Sequence, residues 1–577
     1  MAPLLWLAFG CFLSIGVHGL ASPVVVDARR NITYHGTRRN GIEAFLGIPY
    51  GLDTGGPNRF RPPRPHVPRV GDRIMATSHG AACPQQLGGW LIPISLSNVT
   101  SISEDCLTLN VARPRGTCHQ DRLPVMVYIH GGSFWTGQSQ EITIQPDGLV
   151  LESVQNGLPV IHVAMNYRLG LFGFAQSDAL RAERSENAAL RDQRLAMEWV
   201  RDNIAPFGGN PDSVTIFGQS SGGLAVGMHI VAYAGRKRAP FHRAICQSQA
   251  LEPGITANFT SSAMRAVIEH VGCRSNDVHA KETMACLRDL DMQTLLNASL
   301  ATYRGDISHN IGDIWLPVVD GDFLPAAPSR LVREAQFSHV TTMLGWCEDD
   351  VTFFTDIKIR TAEDTARFLA AYLQGVNEPS LRRLLSLYPV SDFPRVEAGA
   401  LSSEFYRSAR IFRDVLMVCP SIWFGERMAA AGNDVYLYDW NQTMLEPLLA
   451  AVHNQSGLGP IHTSEFAYIF GNLSHYDLNG YPFRPTMADH QLRDRGSRSW
   501  STFASTGMPG SKGRDTFQAF AQAYPATGDA FLFVAGGPHE GRWALDDHQS
   551  PLAVTRQKLR ERCAFINSPA MIEQLAY

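Results

Sequence analysis

The run Val214-Thr215-Ile216-Phe217 is short, apolar and β-prone. It passes directly into Gly218-Gln219-Ser220-Ser221-Gly222, and residues 222–232 then have a helical pattern. A strand that turns abruptly into a helix forces the residue at the apex into a strained backbone conformation. Bulky side chains two places to either side would collide. Glycine at both places removes the collision and leaves the Ser220 hydroxyl raised above the sheet edge. The amino end of the following helix favours negative charge developing beside it. A Gly-x-Ser-x-Gly string alone also fits a plain Gly/Ser turn. The strand before it and the helix after it favour an activated serine, and the string occurs once in the chain.

The surrounding order of elements points to an α/β fold. Residues 125–129 form an apolar run ending in His130-Gly131-Gly132, and residues 160–165 form another ending in Asn166-Tyr167-Arg168. A helical pattern follows over 187–203, and further buried strands are expected over 341–345 and 435–440. Residues 24–27 and 32–34 read as a short hairpin, and 57–68 as a Pro-rich extended loop. Apolar runs alternating with helices imply a large, mostly parallel sheet with helices on both faces and long loops over one edge. With 50 Lys+Arg against 54 Asp+Glu and a formal net charge of −4, no basic face points to nucleic acid or to an anionic membrane.

Residues 4–17 are almost wholly apolar and are followed by Gly19-Leu20-Ala21. The stretch is too short to span a bilayer and reads as a signal peptide over 1–21, leaving 22–577 as a single domain. An uncleaved anchor is the competing reading, because no Lys or Arg precedes the apolar run. No later segment has the length of a transmembrane anchor, so the expected location is outside the cell or in the secretory lumen. Seven Asn-x-Ser/Thr sequons fit that route: Asn31, Asn98, Asn258, Asn297, Asn441, Asn454 and Asn472. Ten cysteines occur, Cys11 within the leader; the remaining nine are an odd number, so at least one thiol stays free. No cysteine or histidine spacing suggests a metal.

A serine esterase also needs backbone N–H groups aimed at an oxyanion. The strand that ends at Ile129 and the turn His130-Gly131-Gly132-Ser133-Phe134 offer them. Several further stretches then make a pattern. They are Phe45-Leu46-Gly47-Ile48-Pro49-Tyr50, Ser103-Glu104-Asp105-Cys106-Leu107-Thr108-Leu109-Asn110-Val111, Asn166-Tyr167-Arg168-Leu169-Gly170, Asp192-Gln193-Arg194-Leu195-Ala196 and Phe207-Gly208-Gly209-Asn210-Pro211. Together they resemble the type-B carboxylesterase and cholinesterase family of the α/β-hydrolase fold, over roughly residues 24–565. The resemblance implies oxyanion donors at the amides of Gly132, Ser133 and Ser221. The family more often has a third glycine at the place of Ser133, and a backbone amide serves either way.

A base and an orienting carboxylate complete such a site. Among 19 histidines, His462 stands in Gly459-Pro460-Ile461-His462-Thr463-Ser464-Glu465-Phe466, which resembles the family stretch holding the catalytic histidine; Thr463 or Ser464 is placed to cap the next helix. His453 is the alternative and lacks that context. For the acid, Gly345-Trp346-Cys347-Glu348-Asp349-Asp350-Val351 aligns with the family stretch and puts Asp350 at the position of the family Glu, with Glu348 and Asp349 competing. The order Ser220, Asp350, His462 is the one this fold uses. The expected reaction is hydrolysis of a small-molecule ester through an acyl-enzyme, with no cofactor.

The resemblance pairs Cys83 with Cys106, Cys273 with Cys286 and Cys419 with Cys563. It leaves Cys118, Cys246 and Cys347 free, Cys347 as a buried thiol. It also pairs Arg59 with Glu104 and Arg168 with Asp192. Cholinesterases carry a Trp ten residues before Cys106, to hold a quaternary ammonium; Leu96 stands there, with Trp90 nearby at other spacing. Gln219 replaces the family's Glu before the serine. Both departures favour neutral esters, in a specialised metabolic pathway or elsewhere. An acyltransferase using the same residues and an inactive binding or adhesion module are the alternatives.

Overall fold

The structure is a computed structural model that describes residues 22–577 except 90–95, 274, 276, 307–313, 394–400, 474–483, 526–527, 546 and 548. The expected leader and Trp90 lie outside the described residues. The strands are, in chain order, β1 (Val24–Asp27), β2 (Ile32–His35), β3 (Thr37–Arg39), β4 (Ile42–Pro49), β5 (Arg73–Met75), β6 (Thr108–Pro114) and β7 (Leu123–Ile129). There follow β8 (Ile161–Met165), β9 (Gly209–Gln219), β10 (Arg243–Gln247), β11 (Thr341–Cys347), β12 (Val435–Trp440), β13 (Phe531–Ala535) and β14 (Gly541–Ala544).

β1, β2 and β5 make a small separate sheet. The other 11 strands make one sheet in the order β14-β13-β12-β11-β10-β9-β7-β8-β6-β4-β3. Its centre, from β13 across to β8, is parallel. Every residue of β8 and β12 is buried, as a strand covered by helices on both faces requires. Both flanks are antiparallel: β14 on β13 at one edge, and β6 and β4 beyond β8 at the other. The mostly parallel sheet is therefore right for the centre and incomplete for the edges.

Chain order reverses around β7, which lies between β8 and β9. In an open α/β sheet the crevice at such a reversal, beyond the carboxyl ends of the strands, is where ligands bind. The Gly131-Gly132 turn follows β7, the Ser220 turn follows β9, and the Glu348-Asp349-Asp350 loop follows β11. The helix expected over 187–203 is Ala188–Asn203, entered through Asn187 in the left-handed region at φ 56°. The helix behind the serine is Ser221–Val231, buried along its whole length.

Three disulfides staple this frame: Cys83–Cys106, Cys273–Cys286 and Cys419–Cys563. Cys118, Cys246 and Cys347 form no disulfide. Arg59 meets Glu104 at 2.6 Å, and the buried Arg168 meets the buried Asp192 at 2.6 Å. Chain-entropy reasoning ranks the disulfides by the loop each closes. The Cys419–Cys563 link spans 144 residues, so breaking it costs about 5 kcal/mol, against about 3 for the loop of 13 residues closed by Cys273–Cys286. Cys563→Ser is therefore expected to lower stability more than Cys286→Ser, as read by urea unfolding without reductant. Equal losses would show that strain or residual structure, not loop entropy, governs both.

Among the described residues no helix is long and apolar enough to cross a membrane. Among the sequon asparagines, Asn472 is used by the fold at both ends of its side chain. Its amide donates to Gln145 O at 2.5 Å and its carbonyl accepts from Gly148 N at 3.1 Å.

Candidate active site

Ser220 sits at the end of β9 with φ 61° and ψ −134°, a conformation that a non-glycine residue adopts only when its surroundings force it. The forcing is visible in the glycines. A Cβ on Gly218 would lie 2.4 Å from Gly222 O, and one on Gly222 would lie 2.2 Å from Ile129 O. The turn is thus pressed against the end of β7, and any side chain there would push the two strands apart. Ser220 N donates to Gln247 O at 2.9 Å, which ties the apex to the neighbouring β10. The Ser220 hydroxyl has no hydrogen-bond partner among the described residues and faces an open cleft of about 890 Å³, solvent at its mouth included.

The turn after β7 wraps the other side of this cleft. Gly132 has φ 111° and Ser133 φ 51°, so the peptide plane is reversed relative to the strand. The amides of Gly132, Ser133 and Ser221 have no acceptor among the described residues, as donors reserved for a ligand must be. Two contacts lock the turn. Phe134 N donates to the Ser221 hydroxyl at 3.1 Å, and Tyr167 Oη donates to His130 O at 2.6 Å while its ring stacks on the His130 imidazole, 4.3 Å between centroids. Burial pushes the His130 pKa down to about 4, so it stays neutral and does not compete as a base. Asn166 accepts from Ser139 N at 2.8 Å and donates to Ala81 O at 3.0 Å, which joins this region to the chain just before Cys83.

His462 is almost wholly buried and Asp350 wholly so. His462 Nδ1 is hydrogen-bonded to Asp350 Oδ1, and His462 N donates to Asp350 O at 3.1 Å. The second carboxylate oxygen, Oδ2, accepts from Cys347 N at 2.9 Å. A carboxylate that only accepts fixes the imidazole tautomer: the proton is on Nδ1 and the lone pair on Nε2. Phe354 packs edge-on against the ring at 5.4 Å. The competing acids are turned elsewhere. Glu348 pairs with Arg410 at 2.8 Å and accepts from Gln557 Nε2 at 2.7 Å, and Asp349 lies 3.6 Å from Arg410. His453 packs on Phe353 at 5.2 Å and does not line the cleft.

Neither Thr463 nor Ser464 caps the next helix, Phe466–Ile469. Its N-cap is Glu465, Ser464 Oγ donates to Thr443 Oγ1, and Thr463 Oγ1 turns back to His462 O. Sequence reasoning also missed Glu465 itself. It is buried, accepts from Gln247 Nε2 at 3.0 Å and from the Cys347 thiol at 3.2 Å, and so links the His462 loop to the end of β10, beside the Ser220 turn, and to the end of β11, which leads to Asp350. Burial pushes both the Glu465 carboxyl and the Cys347 thiol above their ordinary ranges. The only local sign is that Glu465 stands three residues after His462. Its partners lie far away in sequence.

The surface lining the cleft is mostly apolar, with Trp135 lying on Tyr303 at 3.5 Å between centroids. The carboxylate on its wall, Glu141, accepts backbone N–H groups from Leu96 at 2.9 Å, Ser97 at 3.2 Å and Thr143 at 3.3 Å. Among the described residues no cluster of His, Cys, Asp or Glu is placed to hold a metal ion.

The family model described as the carboxylesterase family matches residues 30–530. A secreted lipase of Arthroderma benhamiae is 53% identical over 557 residues, covering 96% of this chain and 96% of its own. A protein of Byssochlamys spectabilis described as an inactive carboxylesterase-like protein is 35% identical over 532 residues, 88% of each chain. Among solved structures, Aspergillus niger EstA superposes with a TM-score of 0.76 at 23% identity, covering 96% of this chain and 99% of that one, a likeness of fold. The match over almost the whole sheet, and relatives aligned along nearly their full length, mean that the chain belongs to the carboxylesterase family of α/β-hydrolases.

Proposed function

We propose that this chain is an exported hydrolase of neutral carboxylic esters, with Ser220 as nucleophile, His462 as general base and acid, and Asp350 as orienting acid. The observation that carries the reading is the buried Asp350–His462 hydrogen bond beside a strained, solvent-facing Ser220 in one apolar cleft. His462 Nε2 takes the hydroxyl proton as Ser220 Oγ bonds to the ester carbon. The carbonyl electron pair moves to oxygen, which the amides of Gly132, Ser133 and Ser221 receive. Asp350 stabilises the imidazolium, which then protonates the departing alcohol. Water, deprotonated by His462, cleaves the acyl-enzyme and restores Ser220. The three disulfides, the sequons and the apolar leader sequence support export. The single-domain reading of 22–577 rests on one continuous sheet from β3 to β14.

The substrate reading rests on Leu96, Gln219 and Glu141. Leu96 is half-buried among apolar neighbours, Gln219 is uncharged, and Glu141 is already met by three backbone donors. None of these three rewards a quaternary ammonium, whose cation–π attraction elsewhere contributes about 1–2 kcal/mol. A 3,3-dimethylbutyl ester is therefore expected to exceed the isosteric choline ester in kcat/KM by about tenfold. A choline ester turned over faster than its neutral isostere would overturn the substrate reading. The same assay with an added acceptor alcohol separates hydrolysis from acyl transfer: transfer gives the new ester, hydrolysis the free acid.

A further inference from the structure

Gln219 touches His462 at the atom that has to take the Ser220 proton. Its side chain is buried, and its Nε2 lies 3.1 Å from His462 Nε2. With the His462 proton held on Nδ1 by Asp350, Nε2 carries a lone pair, so the Gln219 amide is the donor. The Ser220 hydroxyl has no such contact, so in this state the base is engaged by Gln219 and not by the nucleophile.

We infer that Gln219 is a positioning residue that serves both protonation states of His462, which a carboxylate at its place would not. The inference rests on the proposed roles of Ser220, His462 and Asp350. An amide has a donor and an acceptor on one carbon. It gives N–H to the neutral ring and, after half a turn about its terminal bond, gives its carbonyl oxygen to the Nε2–H of the imidazolium. The proton balance is closed within the site. The Ser220 hydroxyl displaces the amide N–H from Nε2 and its proton passes to Nε2 as Oγ bonds to carbon. The amide turns to accept, and the proton leaves with the alcohol. A carboxylate at this place only accepts. It opposes the lone pair of the neutral ring and favours the imidazolium, so it would draw protonation of the base to higher pH.

The other charged and titratable groups around His462 do not supply this effect. Asp350 holds Nδ1 in both states. Cys347 and Glu465 lie behind it, joined to each other, and burial holds both towards their neutral forms. Asp349, on the same loop as Asp350, donates to Pro460 O through its amide and meets Arg410 through its side chain. Across the cleft stand the neutral His130 and the backbone-bound Glu141. Among the described residues Gln219 alone meets Nε2.

The test compares wild type, Gln219→Glu and Gln219→Ala. The second-order rate of fluorophosphonate labelling is measured against pH, since labelling needs the unprotonated base. The expected result is an acid limb moved up by about one pH unit or more in Gln219→Glu, and moved by less than about half a unit in Gln219→Ala. A merely structural role would lower the rate in both variants and leave the limb in place, and that outcome overturns the inference. A second readout stands apart from reactivity: the 13Cε1 resonance of His462, assigned with His462→Gln. It is expected to titrate at higher pH in Gln219→Glu than in wild type, whether or not the protein labels. Coincident titrations would overturn the inference. A wild type that fails to label at any pH while the resonance shifts as expected would sink the proposed hydrolase and leave the Gln219 assignment standing.

Discussion

Ser220→Ala is expected to abolish labelling by a fluorophosphonate and to lower ester turnover by about 10⁴- to 10⁶-fold. The loss is that large because the hydroxyl is the only group at the apex of the turn able to bond to the ester carbon. Alanine keeps the Cβ, so the strained backbone at φ 61° and the packing against β7 persist, and the folded protein should melt within a few degrees of wild type. The residual rate would come from the amides of Gly132, Ser133 and Ser221 acting on bound ester and water. Ser221→Ala is the necessary companion. Its hydroxyl is occupied by Phe134 N, so labelling should persist there at a reduced rate. Label lost from Ser221→Ala but kept in Ser220→Ala would reverse the two assignments. A wild type that never labels would align this chain with the inactive relative from Byssochlamys spectabilis.

The parts of the molecule legible in the sequence are those fixed by neighbours along the chain. The segment 435–440 coincides with β12, because five apolar or aromatic residues around the single Asp439 leave one way to bury both faces. The Ser220 turn is legible for the same local reason, its two glycines. β9 runs back to Gly209, well before the Val214 expected, because Pro211 and Asp212 break the apolar pattern while the backbone continues alongside β7. β4 and β6 show in the sequence only as family stretches. Their apolar runs are interrupted by Glu43 and Arg113, which pair with each other at 2.8 Å across the flank. Such a pair looks like surface in one dimension and is buried in three. The contacts that finish the site are beyond the reach of local pattern for the same reason: Gln219 meets His462 across 243 residues, and Glu465 meets Gln247 across 218.

Glu348, Asp349 and Asp350 are the residues on which local pattern says least. Three consecutive acids follow one strand, and only their distant partners tell them apart. Glu348 and Asp349 face Arg410, and Glu348 also takes Gln557 from 209 residues away, whereas Asp350 alone faces His462. Asp350→Asn is accordingly expected to slow turnover by about 10⁴-fold with little change in fold. The amide can still occupy the site. Its oxygen can accept from Cys347 N while its nitrogen donates to Nδ1, which forces the ring proton onto Nε2 and leaves no lone pair facing Ser220. Loss of the carboxylate also removes the charge that stabilises the imidazolium. Asp349→Asn should change turnover by less than about tenfold, because its neighbour is Arg410 and not the base. Glu348→Gln should act chiefly on stability, since it leaves Arg410 and the buried Arg413 with one fewer anion between them. Steady-state rates on one nitrophenyl ester, with melting curves for each variant, distinguish these outcomes. If Asp349→Asn were the variant to lose nearly all turnover while Asp350→Asn stayed close to wild type, the orienting acid would move one residue back along the loop.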